Sequence, residues 1–333
     1  MSGKNRKTFS LRITAYPRIH MTLIGMNSDG YRINGGIGFS ITDPKLLFSF
    51  KVSKTVQIID YRKFGFNTEE IERLKLRIQK LQTEFGFKYS ISCEITGLSM
   101  THYGLGTSTA SYLSCIEALF ILNNHKYDEK LLLDISSRGG TSGIGINTYF
   151  RGGLVFDTGI SNHGNDELKP SSISKNRIIQ LPLIIKHIKL PMWSLGIAIP
   201  KNVKFKSELE EIIFFKETCP ITKNEVEEIL YEVVYGTLSS IMENDFNFFC
   251  SSVRFLQETK WKKEERSLYK GEIEIIESKM YASGIKSIGM SSLGPGLYFF
   301  SDNIDNVSET LDKEALEVLK TKFNNEGRII QYD

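Results

Sequence analysis

The segment "GLGTSTASYLSCIEALFIL", residues 104–122, joins a glycine-rich turn to a long apolar run with helical spacing. It follows "YSISCEI", residues 89–95, whose apolar side chains alternate with polar ones as in a half-buried strand. A strand, a glycine-rich turn and a buried helix therefore follow one another here. Free N–H groups and the positive end of the helix dipole attract anions, so the segment predicts an anion-binding loop.

The hydroxyl groups of this turn extend that prediction. Thr107, Ser108 and Thr109 can donate hydrogen bonds to a phosphate, and one of them can be a ligand to Mg²⁺. A tight turn with a Ser or Thr helix cap is the alternative interpretation. The nucleotide-binding P-loop is excluded, because the chain has no GxxxxGK[ST] motif.

The composition is that of an ordinary globular protein. The chain of 333 residues is long enough for two joined domains, and its net charge of +3 comes without the basic block of a nucleic-acid-binding protein. The four cysteines have no paired spacing and are expected to be reduced. The apolar runs are shorter than a membrane span, so no membrane association and a cytoplasmic location are predicted.

Strand-like and helix-like segments alternate along the rest of the chain. Residues 8–60 are predicted to be mostly β, and Asn67 with Glu70 forms a capping signature for a helix over 68–86. The polar stretch 159–177 predicts a mobile loop or a domain boundary. The remaining predictions are a short helix at 128–138, a buried strand at 193–200, two helices within 224–258 that break near 244–247, a helix at 272–281, a strand at 297–301 and a last helix at 309–323.

Glycine combined with Ser, Thr or Asn recurs in three other segments. These are residues 32–38 ("RINGGIG"), 139–145 and 289–296. Several such turns that converge on one ligand would explain the pattern better than chance, which favours a phosphorylated small molecule.

Four of these motifs carry a specific resemblance. "GLGTSTA" resembles the phosphate-binding motif of the GHMP kinase superfamily, and "GMSSLGPGLY" (289–298) stands where that superfamily has its third motif. Together with "PRIHMTLIGMNSDGYRINGGIGFSI" (17–41) and "SRGGTSGIGINTYFRGGLVFDTG" (137–159), they resemble the β-ribofuranosylaminobenzene 5'-phosphate synthase family. The matches fall in family order across almost the whole chain.

The resemblance implies a two-domain α+β fold of the GHMP kinase type. Residues 1–180 would form a domain similar to domain 2 of ribosomal protein S5, with a left-handed βαβ crossover. Residues 181–333 would form a ferredoxin-like domain, and the active site would lie between the two. A homodimer is the oligomeric state that the resemblance implies.

The resemblance also implies a reaction. Members of the family condense phosphoribosyl pyrophosphate with 4-hydroxybenzoate or 4-aminobenzoate on the route to methanopterin. Pyrophosphate and CO₂ are released and a C-riboside 5'-phosphate forms. The implied partners are therefore the sugar donor, an aromatic carboxylic acid and Mg²⁺, without nucleic acid.

The family motifs assign candidate residues to the sugar donor. Gly104, Gly106, Thr107 and Ser108 would bind the pyrophosphate, with Ser108 as a ligand to its Mg²⁺. The remaining candidates are Ser142 and Gly143 for the 5'-phosphate, Asp157 for the ribose hydroxyls or Mg²⁺, and Ser291 and Ser292 for closure of the site from the C-terminal half. Asp157 as a turn cap and Ser291 and Ser292 as a serine-rich turn are the alternatives.

A second group of candidates would serve the acceptor. Arg18, Arg138 and Arg151 are candidate cations for a carboxylate or phosphate, because arginine binds both in a bidentate geometry. His20 shares a strand face with Arg18 and would orient the acceptor or bind the 5'-phosphate. Surface ion pairs and a structural histidine are the alternatives. His102 is a further candidate, and the other histidines, His125, His163 and His187, are predicted to be surface residues.

The chain departs from the family pattern at several positions. Gly25 and Asn34 replace two acidic residues, Leu293 replaces a Trp, and residues 205–215 differ from the expected segment. If either missing carboxylate positions the acceptor or the metal in the family, a different acceptor or reduced activity would follow. Three other functions therefore stay open: a C-nucleoside synthase that uses a heteroaromatic acid, an ATP-dependent small-molecule kinase and a non-catalytic regulator.

Overall fold

The computed structural model describes residues 9–164, 168–170, 180–311 and 315–333. Within these ranges the strands are β1 (Ser10–Ala15), β2 (Arg18–Gly25), β3 (Arg32–Ser40), β4 (Leu46–Ser53), β5 (Gln57–Asp60), β6 (Ser90–Gly97), β7 (Leu154–Asp157), β8 (Ile160–Ser161), β9 (Ile184–Ile188), β10 (Ser194–Pro200), β11 (Ser287–Met290), β12 (Leu297–Phe300), β13 (Leu316–Lys322) and β14 (Ile329–Tyr332).

The helices of the same ranges are α1 (Thr68–Glu84), α2 (Thr107–Leu122), α3 (Glu129–Ser136), α4 (Ile144–Arg151), α5 (Glu208–Thr218), α6 (Lys223–Tyr231), α7 (Ser239–Glu243), α8 (Phe246–Glu258), α9 (Lys260–Ser267), α10 (Glu272–Ala282) and α11 (Ile304–Thr310). A π-helical segment, Glu232–Leu238, joins α6 to α7.

Two sheets are built mainly from strands of the N-terminal half of the chain. One has the strand order β14-β1-β4-β6-β5, and the other has the order β2-β3-β7-β9 with β8 paired to β3. Strands β5 and β6 are parallel and α1 connects them, which gives the βαβ unit. Helix α2 is buried almost all round, and it therefore lacks the polar face that a surface helix has. It places the glycine-rich turn at the end of a rigid, buried element.

The third sheet forms the C-terminal half. Its order is β11-β12-β10-β13 and every pair is antiparallel. Trp261 of α9 is fully buried and packs edge-on against Phe214 and Phe215 of α5. These contacts fix α5 against the rest of the core, and α5 provides one wall of the cavity described below.

Most of the predicted elements are confirmed. Asn67 and Glu70 form the predicted capping box of α1, and the helical region breaks at Asn244, which has a left-handed backbone. The last helix, predicted at 309–323, is wrong, because Leu316–Lys322 is strand β13. Its backbone pairs with β10 over seven residues, and that pairing outweighs the helical spacing of its apolar residues.

Other sequence predictions concern boundaries and surfaces. Residues 165–167 and 171–177 of the predicted mobile stretch lie outside the described residues. The domain boundary at 180/181 stays a prediction. Two strands that follow it in the chain pair with strands that precede it, β9 with β7 and β14 with β1. The four cysteines are free, as predicted. No helix in the described ranges is both long and apolar enough to cross a bilayer.

A buried polar cluster ties α2 to the C-terminal end of the chain. Glu117 of α2 is fully buried and accepts hydrogen bonds from Nε and Nη2 of Arg328, at 3.0 and 2.6 Å. It also accepts hydrogen bonds from the hydroxyls of Tyr127 and Tyr149. Every oxygen of this carboxylate is therefore satisfied, and α2 is held by an ion pair that is protected from solvent.

We expect Glu117→Gln to lower the free energy of unfolding by about 3 kcal/mol, because it leaves a largely buried guanidinium without its counter-charge. Glu129→Gln is the matched control, since it breaks an exposed ion pair with Arg151 and should cost less than about 1 kcal/mol. Urea titration of both variants at pH 7 measures the difference. Equal losses in the two variants would contradict this role of Glu117.

Candidate active site

A cavity of about 360 Å³ lies where α2 begins, between β2, α1, α5 and the turn before β12. Its wall holds five cationic side chains and three carboxylates. The cations are Arg18, Arg73, Arg77, Arg138 and Lys206, and the carboxylates are Glu70, Glu208 and Glu211. Apolar wall is supplied mainly by Leu23, Phe66, Phe215 and Leu293. The described part of this wall therefore carries an excess of positive charge over a volume suited to a small molecule.

The glycine-rich turn forms the floor of the cavity. Gly106 precedes the first residue of α2 and has a φ of +72°, which permits the sharp entry into the helix. A Cβ atom at this position would lie 2.7 Å from Cγ of Arg18. The missing side chain thus lets the Arg18 stem lie against the turn, beside the free N–H groups of the first helical turn.

The hydroxyls of the turn face in different directions. Thr107 lines the cavity, but its buried hydroxyl donates to the carbonyl of Met100 at 2.9 Å and so stabilises the turn. Ser108 and Thr109 line the cavity, and among the described residues their hydroxyls have no hydrogen-bond partner. Of the predicted ligands in this turn, Ser108 has the free hydroxyl.

Arg18 is positioned by the turn that it faces. Its Nη1 donates to the Gly104 carbonyl at 2.6 Å, and no carboxylate of the described residues lies within ion-pair distance. Burial, opposed by Glu211 and Glu265, lowers the pKa of Arg18 to about 10. The guanidinium stays charged at neutral pH and keeps most of its donors free for an anion.

Arg138 brings a second buried cation to the cavity. Its Nε is buried and has no hydrogen-bond partner among the described residues. Burial, and next the charge of Arg77, lower the pKa of Arg138 to about 10. A buried donor without a partner costs free energy in the ligand-free protein, so an anion bound at Arg138 would recover it. Arg77 on α1, which sequence reasoning missed, stands four residues after Arg73 on the same helix face.

His20 is a neutral imidazole in this cavity. Its Nε2 is 3.1 Å from the Ser142 hydroxyl, and its buried Nδ1 has no partner among the described residues. Burial, with the charges of Arg18 and Lys262, lowers the pKa of His20 well below its usual value. The ring therefore offers a hydrogen bond rather than a positive charge.

Ser142 is brought to the cavity, but two neighbouring candidates are not. The Gly143 N–H donates to Oδ2 of Asp157 at 2.9 Å, so it is not free for a phosphate. The other oxygen of Asp157 accepts the Gly159 N–H at 2.9 Å. Asp157 is fully buried outside the cavity wall, and burial raises its pKa to about 7. It holds the loop that carries Ser142, and the structure does not bring it to the cavity, where its predicted roles in catalysis and metal binding would place it.

Of the two serines before β12, Ser291 and Ser292, only the second lines the cavity. The fully buried Ser291 donates its hydroxyl proton to the Gly104 carbonyl and accepts the His20 N–H, so it links the two halves of the protein. Ser292 lines the cavity, and its N–H donates to the His20 carbonyl. Its role in closing the site stays a prediction.

Arg151 lies outside the cavity. It ends α4, its side chain is 59% exposed, and it pairs with Glu129 at 2.8 Å. This helix end turns it toward solvent, so the structure does not bring Arg151 to the cavity, where its predicted role in ligand binding would place it. Of the histidines, His102 lines the cavity and pairs with Glu70 at 2.8 Å, His125 and His163 are exposed as predicted, and His187 is half-buried against the Gly152 carbonyl.

The departures from the family pattern occupy two places. Gly25 and Asn34 are opposite each other in the β2–β3 pair, and neither lines the cavity. The Asn34 amide donates to the Gly140 carbonyl at 3.1 Å and so supports the loop that carries Ser142. Leu293 lines the cavity directly. Residues 205–215 also reach it, through Lys206, Glu208, Glu211 and Phe215. Leu293 and this segment are therefore the departures that a ligand would touch.

We expect Gly106→Ala to weaken the binding of inorganic pyrophosphate at least tenfold, because its methyl group displaces the Arg18 stem. Gly86→Ala is the matched control: Gly86 also has a positive φ, +62°, but a methyl group there meets no atom within 4 Å. Both variants should lose about 1–2 kcal/mol of stability from the left-handed backbone. Calorimetric titration measures pyrophosphate affinity, and equal affinity in the two variants would refute the placement of Arg18 in an anion site.

Comparison with known sequences gives consistent relatives. No family model matches the chain. A protein of Archaeoglobus fulgidus named β-ribofuranosylphenol 5'-phosphate synthase is 30% identical over 324 residues, which cover 95% of this chain and 98% of the relative. Proteins with the same name from Methanocaldococcus jannaschii and Methanothermobacter thermautotrophicus are 29% and 28% identical, over 94% and 88% of this chain.

Comparison with solved structures identifies the fold. Homoserine kinase from Cytophaga hutchinsonii has a TM-score of 0.67 at 15% identity, over 99% of both chains. Mevalonate diphosphate decarboxylase from Staphylococcus aureus has a TM-score of 0.60 at 14% identity, over 97% of this chain and 98% of the other. At these identities the likeness shows the fold alone, which is the GHMP kinase-like α+β fold predicted from the motifs. The sequence relatives decide the family: the chain belongs to the β-ribofuranosylphenol 5'-phosphate synthases.

Proposed function

We propose that this protein transfers the phosphoribosyl group of phosphoribosyl pyrophosphate to an aromatic acid, with release of pyrophosphate and CO₂. The observation that carries the proposal is the cationic cavity at the start of α2, where Arg18, Arg77 and Arg138 have no carboxylate partner among the described residues. Two anionic substrates, a sugar diphosphate and a carboxylate, would supply the missing charge. The names of the relatives describe the same product class.

The donor would place its diphosphate at the N-terminus of α2. The N–H groups of the first helical turn, the Ser108 hydroxyl and the Arg18 guanidinium all meet the cavity there. Negative charge grows on the diphosphate as the bond from C1 of the ribose to oxygen breaks. Donors that are already in place stabilise that charge without reorganisation.

Magnesium is proposed as a companion of the donor. Mg²⁺ takes oxygen ligands and is often held by substrate phosphates with only one or two protein groups. The unpartnered Ser108 hydroxyl fits such a ligand, whereas both oxygens of Asp157 already accept amide hydrogen bonds. When bound, the ion would neutralise part of the charge on the departing pyrophosphate.

The acceptor would lie against the apolar part of the wall. Leu23, Phe215 and Leu293 supply surface for an aromatic ring, and Arg138 supplies a cation for its carboxylate. The ring carbon that bears the carboxylate bonds to C1 as pyrophosphate leaves. The bond to the carboxylate then breaks, its electron pair restores the aromatic ring, and CO₂ departs. Since the relatives are named for a phenol product, 4-hydroxybenzoate is the acceptor that we propose, as a step toward methanopterin.

Mass spectrometry of the products tests this reaction. The protein is incubated with phosphoribosyl pyrophosphate, Mg²⁺ and, in separate samples, 4-hydroxybenzoate, 4-aminobenzoate and a panel of heteroaromatic acids. We expect a ribofuranosylphenol 5'-phosphate and equimolar pyrophosphate. A product from a heteroaromatic acid alone would identify a C-nucleoside synthase. Formation of ADP from ATP with an added alcohol, and no C-riboside, would overturn the proposal in favour of a kinase.

We expect Arg138→Lys to lower kcat/KM for the aromatic acid by about 10–100-fold, the value of a lost charge-assisted hydrogen bond. Lysine keeps the charge but cannot bind a carboxylate through two parallel N–H groups. Arg151→Lys is the matched control, since Arg151 is exposed outside the cavity and should leave kcat/KM unchanged. Steady-state kinetics compare the two, and an unchanged kcat/KM in Arg138→Lys would exclude Arg138 from acceptor binding.

A further inference from the structure

One carboxylate of the cavity takes no part in the proposed binding of the donor and the acceptor. Glu211 lies on α5 and lines the cavity, and among the described residues its side chain has neither a hydrogen bond nor an ion pair. The other two carboxylates are engaged, Glu70 with His102 and Glu208 with Arg73, each at 2.8 Å. Glu211 is therefore the carboxylate that is free to meet a ligand.

The position of Glu211 is set by packing and not by the carboxylate itself. A capping box between Ser207 and Glu210 fixes the start of α5, and the buried Phe214 and Phe215 fix its face against Trp261. Glu211 precedes Phe215 by four residues, so both side chains stand on one face of the helix. Both line the cavity. A ring that packs on Phe215 would thus present its polar edge to Glu211.

The surroundings of Glu211 adjust its proton affinity. Burial raises the pKa of Glu211 to about 7; the charged and titratable groups that face it, His102, Glu208, Arg18 and Arg138, modify this value, and Tyr269 also lies nearby. A carboxylate with such a pKa accepts a proton from a weak acid and returns it at neutral pH, which an ordinary glutamate does poorly.

We propose that Glu211 is the catalytic residue that takes the proton of the acceptor's ring hydroxyl and returns it after CO₂ has left. This inference rests on the proposed function and adds a group to the same site. As the O–H bond breaks, the oxygen pushes electrons into the ring, and the carbon opposite bonds to C1 of the ribose. After decarboxylation the negative charge stands on the ring oxygen, which takes the proton back from Glu211. No net proton is gained or lost.

The two acceptors of the family distinguish this role from a structural one. A ring hydroxyl donates electrons far more strongly after it loses its proton, whereas a ring amine already donates strongly through its neutral lone pair. We therefore expect Glu211→Gln to lower kcat/KM for 4-hydroxybenzoate by about 10²-fold or more and to leave kcat/KM for 4-aminobenzoate near its wild-type value. Glu217→Gln, an exposed position on the same helix, is the matched control for both acceptors.

The pH dependence gives a second readout. In the wild-type protein kcat/KM for 4-hydroxybenzoate should rise through about pH 7 as Glu211 loses its proton, and this limb should be absent in Glu211→Gln. The 4-aminobenzoate profile controls for ionisation of the donor. If only 4-hydroxybenzoate is turned over, the pH profile is the test: loss of this limb in Glu211→Gln supports the role of Glu211, and its persistence overturns that role.

Stability separates a folding defect from a catalytic one. Since the pKa of Glu211 is raised on folding, its protonated form stabilises the folded protein at low pH. This stabilisation is lost as pH rises through about 7. Glu211→Gln should therefore have a higher Tm than wild type at pH 8 and a similar Tm at pH 5. Equal loss of rate with both acceptors, or no loss with either, would overturn the role of Glu211 while the proposed function stands. Absence of turnover by the wild-type protein would overturn both.

Discussion

The close approach of two backbones, at Gly104 and Ser291, is the constraint on which the site depends. The Gly104 carbonyl accepts hydrogen bonds from the Arg18 guanidinium and from the Ser291 hydroxyl. A Cβ atom on Gly104 would lie 1.9 Å from the Ser291 carbonyl oxygen, so only glycine permits this contact. One carbonyl thus joins the turn before α2, strand β2 and the turn before β12. The cavity lies where these three segments meet, and its walls are set by that contact.

Burial gives the cavity its chemistry. Arg18 and Arg138 remain charged without carboxylate partners among the described residues, and His20 is held neutral beside them. Unpaired buried cations cost stability, which is the usual condition of a site arranged for an anionic ligand. Glu211 shows the opposite adjustment, because burial raises its pKa and favours its protonated form. The same desolvation therefore prepares cations for binding and a carboxylate for proton exchange.

The local parts of the structure could be predicted from the sequence. The strand, glycine turn and helix around Gly106 depend on neighbouring residues only, as does the Asn67–Glu70 cap, and all of them are confirmed. The direction of individual groups could not be predicted. Thr107 and Ser108 are adjacent, yet the first hydroxyl binds Met100 and the second faces the cavity. Glu211 was missed because the face that α5 presents depends on its packing against Trp261.

The central claim is that the start of α2 binds the diphosphate of a sugar donor rather than that of a nucleotide. Isothermal titration of the protein with phosphoribosyl pyrophosphate and with ATP, each with Mg²⁺, tests it most directly. The account predicts saturable binding of phosphoribosyl pyrophosphate and no measurable binding of ATP. Saturable binding of ATP without binding of phosphoribosyl pyrophosphate would contradict it.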